Sequence, residues 1–345
     1  GEGSAKPGPT HFYPYSRDLK IFIRRAIKAA EEGRDGAADI GKAAGEVTAA
    51  HAIAVDELLE KAGMKRTSID VIGFGGHTIL RRPRRQAESM ARIWRIGDGA
   101  RLAEDVKIDV VADFSSADVF EGGEGGPLSP IYHAALVRAL EPDGAVGVIE
   151  FSDAASITYL PHGGGDLEIT AFDSGPGLLL LDQWMELKTG EREDRGGAAA
   201  RAGVAHDDIV RMMLLNPYLR RKPTKFLDRG DFKLDPVAGL SLTDGAATLT
   251  AFSAACVKSA EAHLAAPPND WIVVGRGRRH PAMMDALRAT LAGEVHDADS
   301  LGWRGDALAA ECAAYLAVRC LRKLPLTFPK TTRAPRPIIG GTYFR

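Results

Sequence analysis

The stretch Phe172-Asp173-Ser174-Gly175-Pro176-Gly177 sets a carboxylate beside two glycines and a proline. Before it, Leu167, Ile169 and Ala171 alternate along the chain as strand residues do, and after it Leu178 to Trp184 reads as the start of a helix. A carboxylate where a strand ends, next to glycines that let backbone N–H groups approach a ligand, suits a general base aimed at a phosphorylated group. The same Asp173 could cap the helix that follows. The residues alone leave both roles open.

The elements that would position this stretch can be traced by periodicity. Ser16 precedes an apolar stripe of Leu19, Phe22, Ile23, Ala26, Ile27 and Ala30, which predicts a helix ending at Gly33. A second helix is expected over 40–62. Short apolar runs at 69–74 and 108–114 read as buried strands. Three more strands are expected at 145–151, 156–160 and 167–172, the last two joined through His162-Gly163-Gly164-Gly165. Further on come a helix over 248–265, a strand over 271–274, a helix over 281–291 and a long helix over 306–321. Three antiparallel strands, a helix and further βα units make the plan of a ribonuclease H-like domain. Pro325, Pro329, Pro335 and Pro337 break the tail into irregular chain.

With 345 residues, 45% of them hydrophobic, the chain can bury a substantial core in two domains. A formal net charge of −2 gives no basic field, so neither nucleic acid nor a membrane surface is expected as partner. The basic run Arg81, Arg82, Arg84, Arg85 reads as a solvated loop, with a ligand patch as the alternative. No apolar run approaches the ~20 residues of a membrane span, and no signal peptide is visible, so the expected location is the cytoplasm. Cys256, Cys312 and Cys320 read as small buried residues of a protein in a reducing compartment. No cluster of His, Cys and carboxylates stands at metal-ligand spacing, so the residues predict no metal site.

Taken in order, the blocks 69–83, 111–133, 172–184, 225–231, 244–252, 275–287, 301–319 and 325–341 resemble the anhydro-N-acetylmuramic acid kinases. The resemblance implies an α/β, actin-like ATPase fold of the sugar kinase, Hsp70 and actin class, with two ribonuclease H-like domains around a cleft. The first domain would take residues 1–115 and 318–345, and the second 116–317. ATP would lie in the cleft with Mg2+ bridging its phosphates. Asp173 matches the carboxylate that activates water for attack on C1 of a 1,6-anhydro sugar; O6 then takes the γ-phosphoryl group. Gly175, Gly177, Gly275 and Gly277 match nucleotide-binding glycines, and Gly76, Thr78 and Asp113 match sugar-side positions. A homodimer is a further expectation of the resemblance.

The chain also departs from that family's pattern. The family opens with a Gly-Thr-Ser-x-Asp-Gly phosphate loop, and this sequence begins at Gly1 just downstream of where that loop would lie; truncation and genuine loss explain this equally. His-Gly-Gln-Thr is replaced by Gly75-Gly76-His77-Thr78, and the Arg of Asp-Phe-Arg by Ser115. Glu124 stands for a Gln, and Arg333 for a Gly. The loop Asn-Ile-Gly-Gly-Ile-Ala-Asn has become Glu150-Phe151-Ser152-Asp153-Ala154-Ala155-Ser156, adding two acidic groups that would each cost about 1 kcal/mol or more beside a triphosphate. Arg276 interrupts the glycine turn at 275–277. Ala309 stands for a Glu on the long helix, with Glu311 two residues on. His77 and His280 are left between loop residue and ligand contact. Lys225, Asp228 and Arg229 are left between function and loop packing. Two expectations follow: an ATP-dependent anhydro-sugar kinase, or a pseudokinase acting as scaffold, regulatory partner or ligand-binding module.

Overall fold

In the computed structural model, residues 5–84 and 90–345 are described; Arg85 of the basic run lies outside them. Among these residues the strands, in chain order, are β1 (Ile72–Phe74), β2 (His77–Arg82), β3 (Arg92–Ile96), β4 (Val110–Ala112), β5 (Val146–Phe151), β6 (Ala154–Leu160), β7 (Thr170–Pro176), β8 (Asp270–Gly275), β9 (Glu294–Asp297) and β10 (Thr342–Phe344). The chain divides into two units, Gly1–Tyr132 with Ala307–Arg345, and His133–Asp306. The boundaries read from the sequence, 115/116 and 317/318, both fall inside the first unit.

In the first unit the Ser16 hydroxyl accepts from the Leu19 amide at 3.1 Å and starts the helix Arg17–Glu31. Its stripe buries Leu19, Ile23, Ala26 and Ala30 in a core shared with the helix Ala38–Ala62. β1 and β4 run parallel, and β10 pairs antiparallel with β4. The helix Leu308–Leu321 lies so close to β1 that a Cβ at Gly73 would sit 2.0 Å from the Ala313 carbonyl oxygen. The expected strands at 69–74 and 108–114 are real but shorter. Arg81 and Arg82 are not in a loop: they stand on β2 of the β2–β3 hairpin. Ile79 and Leu80 are both buried and the adjacent Arg81 and Arg82 both exposed, past a register shift after Thr78, so the hairpin shows no simple alternation to a hydrophobicity reading.

The second unit is built on one sheet of order β7-β6-β5-β8-β9. β5, β6 and β7 are antiparallel neighbours, and β8 and β9 continue from β5 in parallel. This is the order and orientation of a ribonuclease H-like sheet, so the fold is α/β of the actin-like ATPase class. The helices Leu179–Thr189, Leu242–Ala260 and Pro281–Thr290 contribute to its core around Trp184, Phe252 and Trp271, all fully buried. The Trp184 ring sits where a Cβ of Gly245 would be and donates from Nε1 to the Leu242 carbonyl at 2.9 Å.

Two elements of the second unit start elsewhere than their sequence periodicity suggests. Leu167 is exposed in a short turn, Asp166–Glu168, and β7 begins only at Thr170, running through Asp173 to Pro176. The helix expected from 248 begins at Leu242, where the Ser241 hydroxyl caps the Asp244 amide at 3.1 Å; small residues in its first turns gave no apolar period. The three cysteines are free, with Cys256 and Cys312 buried. Among the described residues no helix is long and apolar enough to cross a membrane.

Candidate active site

Asp173 stands in mid-strand at a bulge. Ser156 of β6 pairs with Asp173 and Ala155 pairs with Gly175, so Ser174 is the extra residue that re-aims the chain. The Ser156 hydroxyl donates to Asp173 Oδ1, and the Leu227 amide donates to Oδ2 at 2.8 Å. The side chain is fully buried. Its alternative role as a helix cap is overturned: the helix Leu179–Thr189 has Leu178 at its N-cap, with no side-chain cap. Ser156, Leu227 and Tyr218, whose hydroxyl donates to the Asp173 carbonyl at 2.9 Å, were not singled out by the sequence. Ser156 could have been found by counting back across the glycine turn that joins the two strands.

The four glycines are places where the chain has no room for a side chain. A Cβ at Gly175 would lie 2.9 Å from Cys256 Sγ, and one at Gly177 would lie 2.6 Å from the carbonyl oxygens of Ser152 and Ala154. The Gly177 and Leu178 amides donate to the Asp153 and Ser152 carbonyls at 2.8 and 2.7 Å. The N–H group that the sequence directed toward a phosphorylated ligand at Gly177 is therefore engaged by the β5–β6 turn. Gly275, at φ +77°, would bring a Cβ within 2.6 Å of the Phe151 carbonyl oxygen, and Gly277 would bring one within 2.4 Å of the Phe151 Cβ. The parallel pairing of Phe151 with Gly275 sets these turns side by side at the carboxyl ends of β5 and β8, where open α/β sheets bind ligands.

Charge at those ends is arranged as a chain of pairs. Arg276 bonds Asp182 and lies 3.5 Å from Asp153, whose other oxygen accepts from Arg229 at 2.8 Å. Burial raises the Asp182 carboxyl above its ordinary range, and the hydrogen bond and charge of Arg276 only partly offset this. Asp153 is thus flanked by two guanidinium groups rather than left as a bare negative charge. His280 is buried: Nδ1 accepts from the Met283 amide at 3.1 Å to cap the helix Pro281–Thr290, and Nε2 pairs with Asp194 at 3.2 Å.

In the first unit Phe74 pairs with Ala112 in parallel, so Gly75–Thr78 and Asp113–Ser116 follow the carboxyl ends of neighbouring strands. Gly76 has φ +61° and lies against the Ile96 carbonyl; Thr78 is exposed on β2. Asp113 occupies left-handed backbone at φ 52° and accepts from the Ser116 hydroxyl at 2.7 Å. A non-glycine held there marks a position set by its surroundings. His77 is half-buried beside Tyr15, and burial together with nearby His51 lowers its pKa. Glu124 is buried and paired with Arg333 at 3.0 Å. Asp118, another residue the sequence did not reveal, is buried and accepts from Thr327 and Thr332 hydroxyls at 2.5 and 2.6 Å and from the Gly125 amide at 2.7 Å. It ties the glycine loop 122–126 to the tail. On the helix Leu308–Leu321, Ala309 is exposed and Glu311 accepts from the Tyr132 hydroxyl at 2.6 Å.

One grouping of metal-ligating type appears that sequence spacing did not suggest: Asp270, Glu294 and His296 meet across β8 and β9, with ligand atoms within 4.8 Å of one another. It is largely exposed at Glu294, and His296 is bonded to Asp270 at 2.8 Å.

The chain matches the family-wide pattern of anhydro-N-acetylmuramic acid kinases over residues 4–345. The anhydro-N-acetylmuramic acid kinase of Methylobacterium nodulans is 40% identical over 341 residues, covering 98% of this chain and 89% of that protein. That of Rhodospirillum rubrum is 41% identical over 337 residues, covering 98% and 86%. The activator of 2-hydroxyisocaproyl-CoA dehydratase from Clostridium difficile, solved with bound ADPNP, shows 13% identity and a TM-score of 0.40 over 79% of this chain and 82% of its own. With the match even in identity and spanning essentially every residue, the chain belongs to the anhydro-N-acetylmuramic acid kinase family.

Proposed function

We propose that this chain is an ATP-dependent kinase of a 1,6-anhydro amino sugar, with Asp173 as the general base. The observation that carries this reading is the Asp173 carboxylate itself, re-aimed by a strand bulge and oriented by donors from Ser156 and Leu227. In the reaction Asp173 takes a proton from water as the oxygen attacks C1. The C1–O6 bond breaks, O6 attacks the γ-phosphorus, and ADP leaves. Well-placed general bases contribute roughly 10²–10⁴ in rate. Gly175, Gly177, Gly275 and Gly277 would shape the nucleotide side, and Gly76, Thr78 and Asp113 the sugar side.

Mg2+ is the family's usual companion to ATP. The carboxylates beside the glycine turn, Asp153 and Asp182, are each held by Arg276, and this donor set fits arginine rather than a divalent cation as placed.

The test is product analysis. The full chain is incubated with 1,6-anhydro-N-acetylmuramic acid, ATP and Mg2+ in 18O-labelled water. The reading expects a sugar 6-phosphate with one label on the C1 hydroxyl. No sugar phosphate, together with no nucleotide binding at millimolar concentration, would overturn it in favour of a family member that acts by binding rather than by transfer.

A further inference from the structure

We propose that Tyr218 and Lys225 are positioning residues for Asp173, forming a ring of hydrogen bonds that fixes the bulge on which its carboxylate stands. The proposal rests on the reading of Asp173 as the base. β7 is an edge strand of its sheet, so backbone groups on its outer side need partners other than a neighbouring strand. At Asp173 those partners come from one segment. The Asp173 amide donates to the Lys225 carbonyl at 2.9 Å, and the Asp173 carbonyl accepts from the Tyr218 hydroxyl at 2.9 Å. Lys225 Nζ closes the ring, donating to the Tyr218 and Leu219 carbonyls at 3.3 and 2.9 Å. The Leu227 amide, two residues beyond Lys225, is the donor to Asp173 Oδ2.

All three residues are buried, with relative exposures of 0%, 1% and 1% for Asp173, Tyr218 and Lys225. A buried ammonium is costly, and an apolar side chain would fill the space more cheaply. What only a long cation supplies is a reach to two carbonyls of the turn Pro217–Arg220 at once, with its charge 4.9 Å from the Tyr218 ring. Tyr218 is thereby held from its backbone while its hydroxyl holds Asp173. Burial brings the Lys225 ammonium down to about 8; the groups facing it are Cys256, Arg221 and Asp173.

The experiment uses the full chain and three variants, Tyr218→Phe, Lys225→Met and Lys225→Arg. Hydrogen exchange is read at the amides of Asp173 and Leu227, and kcat and KM are read where transfer is measurable. The ring predicts faster exchange at both amides in Tyr218→Phe and Lys225→Met, partial recovery in Lys225→Arg, and a kcat lower by roughly tenfold to a hundredfold with KM unchanged. Exchange unchanged at both amides in Tyr218→Phe would overturn the proposal, as would a loss confined to KM. If the parent chain transfers no phosphoryl group, faster exchange still upholds the ring while the kinase reading alone fails. Should Lys225→Met not fold, Tyr218→Phe, which removes a single oxygen, decides.

Discussion

Arg333 Nη1 lies 3.0 Å from Glu124 Oε1, and Glu124 Oε2 accepts from the Arg84 amide at 3.0 Å. At positions 124 and 333 the sequence resemblance implies Gln and Gly. Each replacement looks harmful alone, one a buried negative charge and the other a bulky cation in left-handed backbone at φ 62°. Together they form one ion pair that joins the glycine loop to the tail.

That pairing makes the two positions energetically dependent. Arg333→Gly leaves the buried Glu124 carboxylate without its cation and should cost about 2–4 kcal/mol in denaturant unfolding, less than a fully buried pair because Arg333 keeps some solvent. Glu124→Gln with Arg333→Gly should recover much of that loss, with a coupling of about 1–3 kcal/mol. Strict additivity of the two single changes would show that the pair contributes nothing.

Asp153 and Arg276 repeat the pattern where glycines are expected, 3.5 Å apart. Arg276→Gly removes the guanidinium from Asp182 and leaves Asp153 with Arg229 alone, and should weaken ATP binding about tenfold, by like-charge repulsion on the order of 1 kcal/mol. Asp153→Gly together with Arg276→Gly should bind ATP more tightly than Arg276→Gly alone. Calorimetric titration gives both numbers, and identical affinities across the set would remove the pair from nucleotide binding.

The contrast between what was legible in the sequence and what was not follows from how each signal is made. Ser16 and the stripe behind it were readable because capping and helical period are local. β5 and β6 were readable because they are apolar and joined by a tight turn, whereas β7 was placed three residues early across the longer connection 161–169. The β2–β3 hairpin was not readable, because Arg81 and Arg82 break its hydrophobic alternation. Asp173 could be found as a candidate, yet its place in mid-strand depends on a bulge set by pairing with Ser156. The departures at 124, 153, 276 and 333 could be seen one by one. That they neutralise one another depends on contacts across as many as 209 positions of chain, which no local pattern encodes.

Lys225 gives a pH signature of definite sign. Burial lowers its ammonium from 10.5 to about 8, with Cys256 and Asp173 acting to raise it and Arg221 to lower it. Between those values the unfolded chain holds the proton and the folded chain does not, so stability at this site rises with pH. The melting temperature of the parent chain should gain on that of Lys225→Met from pH 8 upward. A constant difference across that range would contradict the assignment.

His133 acts at the acid side. It is buried beside the Thr158 hydroxyl at 3.1 Å, and burial lowers its imidazole from 6.5 to about 4. As pH falls from 6.5 toward 4 the unfolded chain takes up a proton that the folded chain refuses, which removes on the order of 2–3 kcal/mol. His133→Gln should flatten that part of the stability curve. An unchanged acid limb in the variant would refute this origin.

Whether Asp173 is the base of a phosphoryl transfer that opens an anhydro ring is decided by single-turnover transfer from ATP to 1,6-anhydro-N-acetylmuramic acid, run on the parent chain and on Asp173→Asn. Asn cannot accept the proton, and its amide would face a donor from Ser156 or Leu227, so the variant should lose about 1–3 kcal/mol of stability and at least roughly 10²-fold in rate while still binding ATP. A variant that transfers at the parent rate would contradict the account, and so would a parent chain that binds ATP and the sugar yet forms no sugar phosphate.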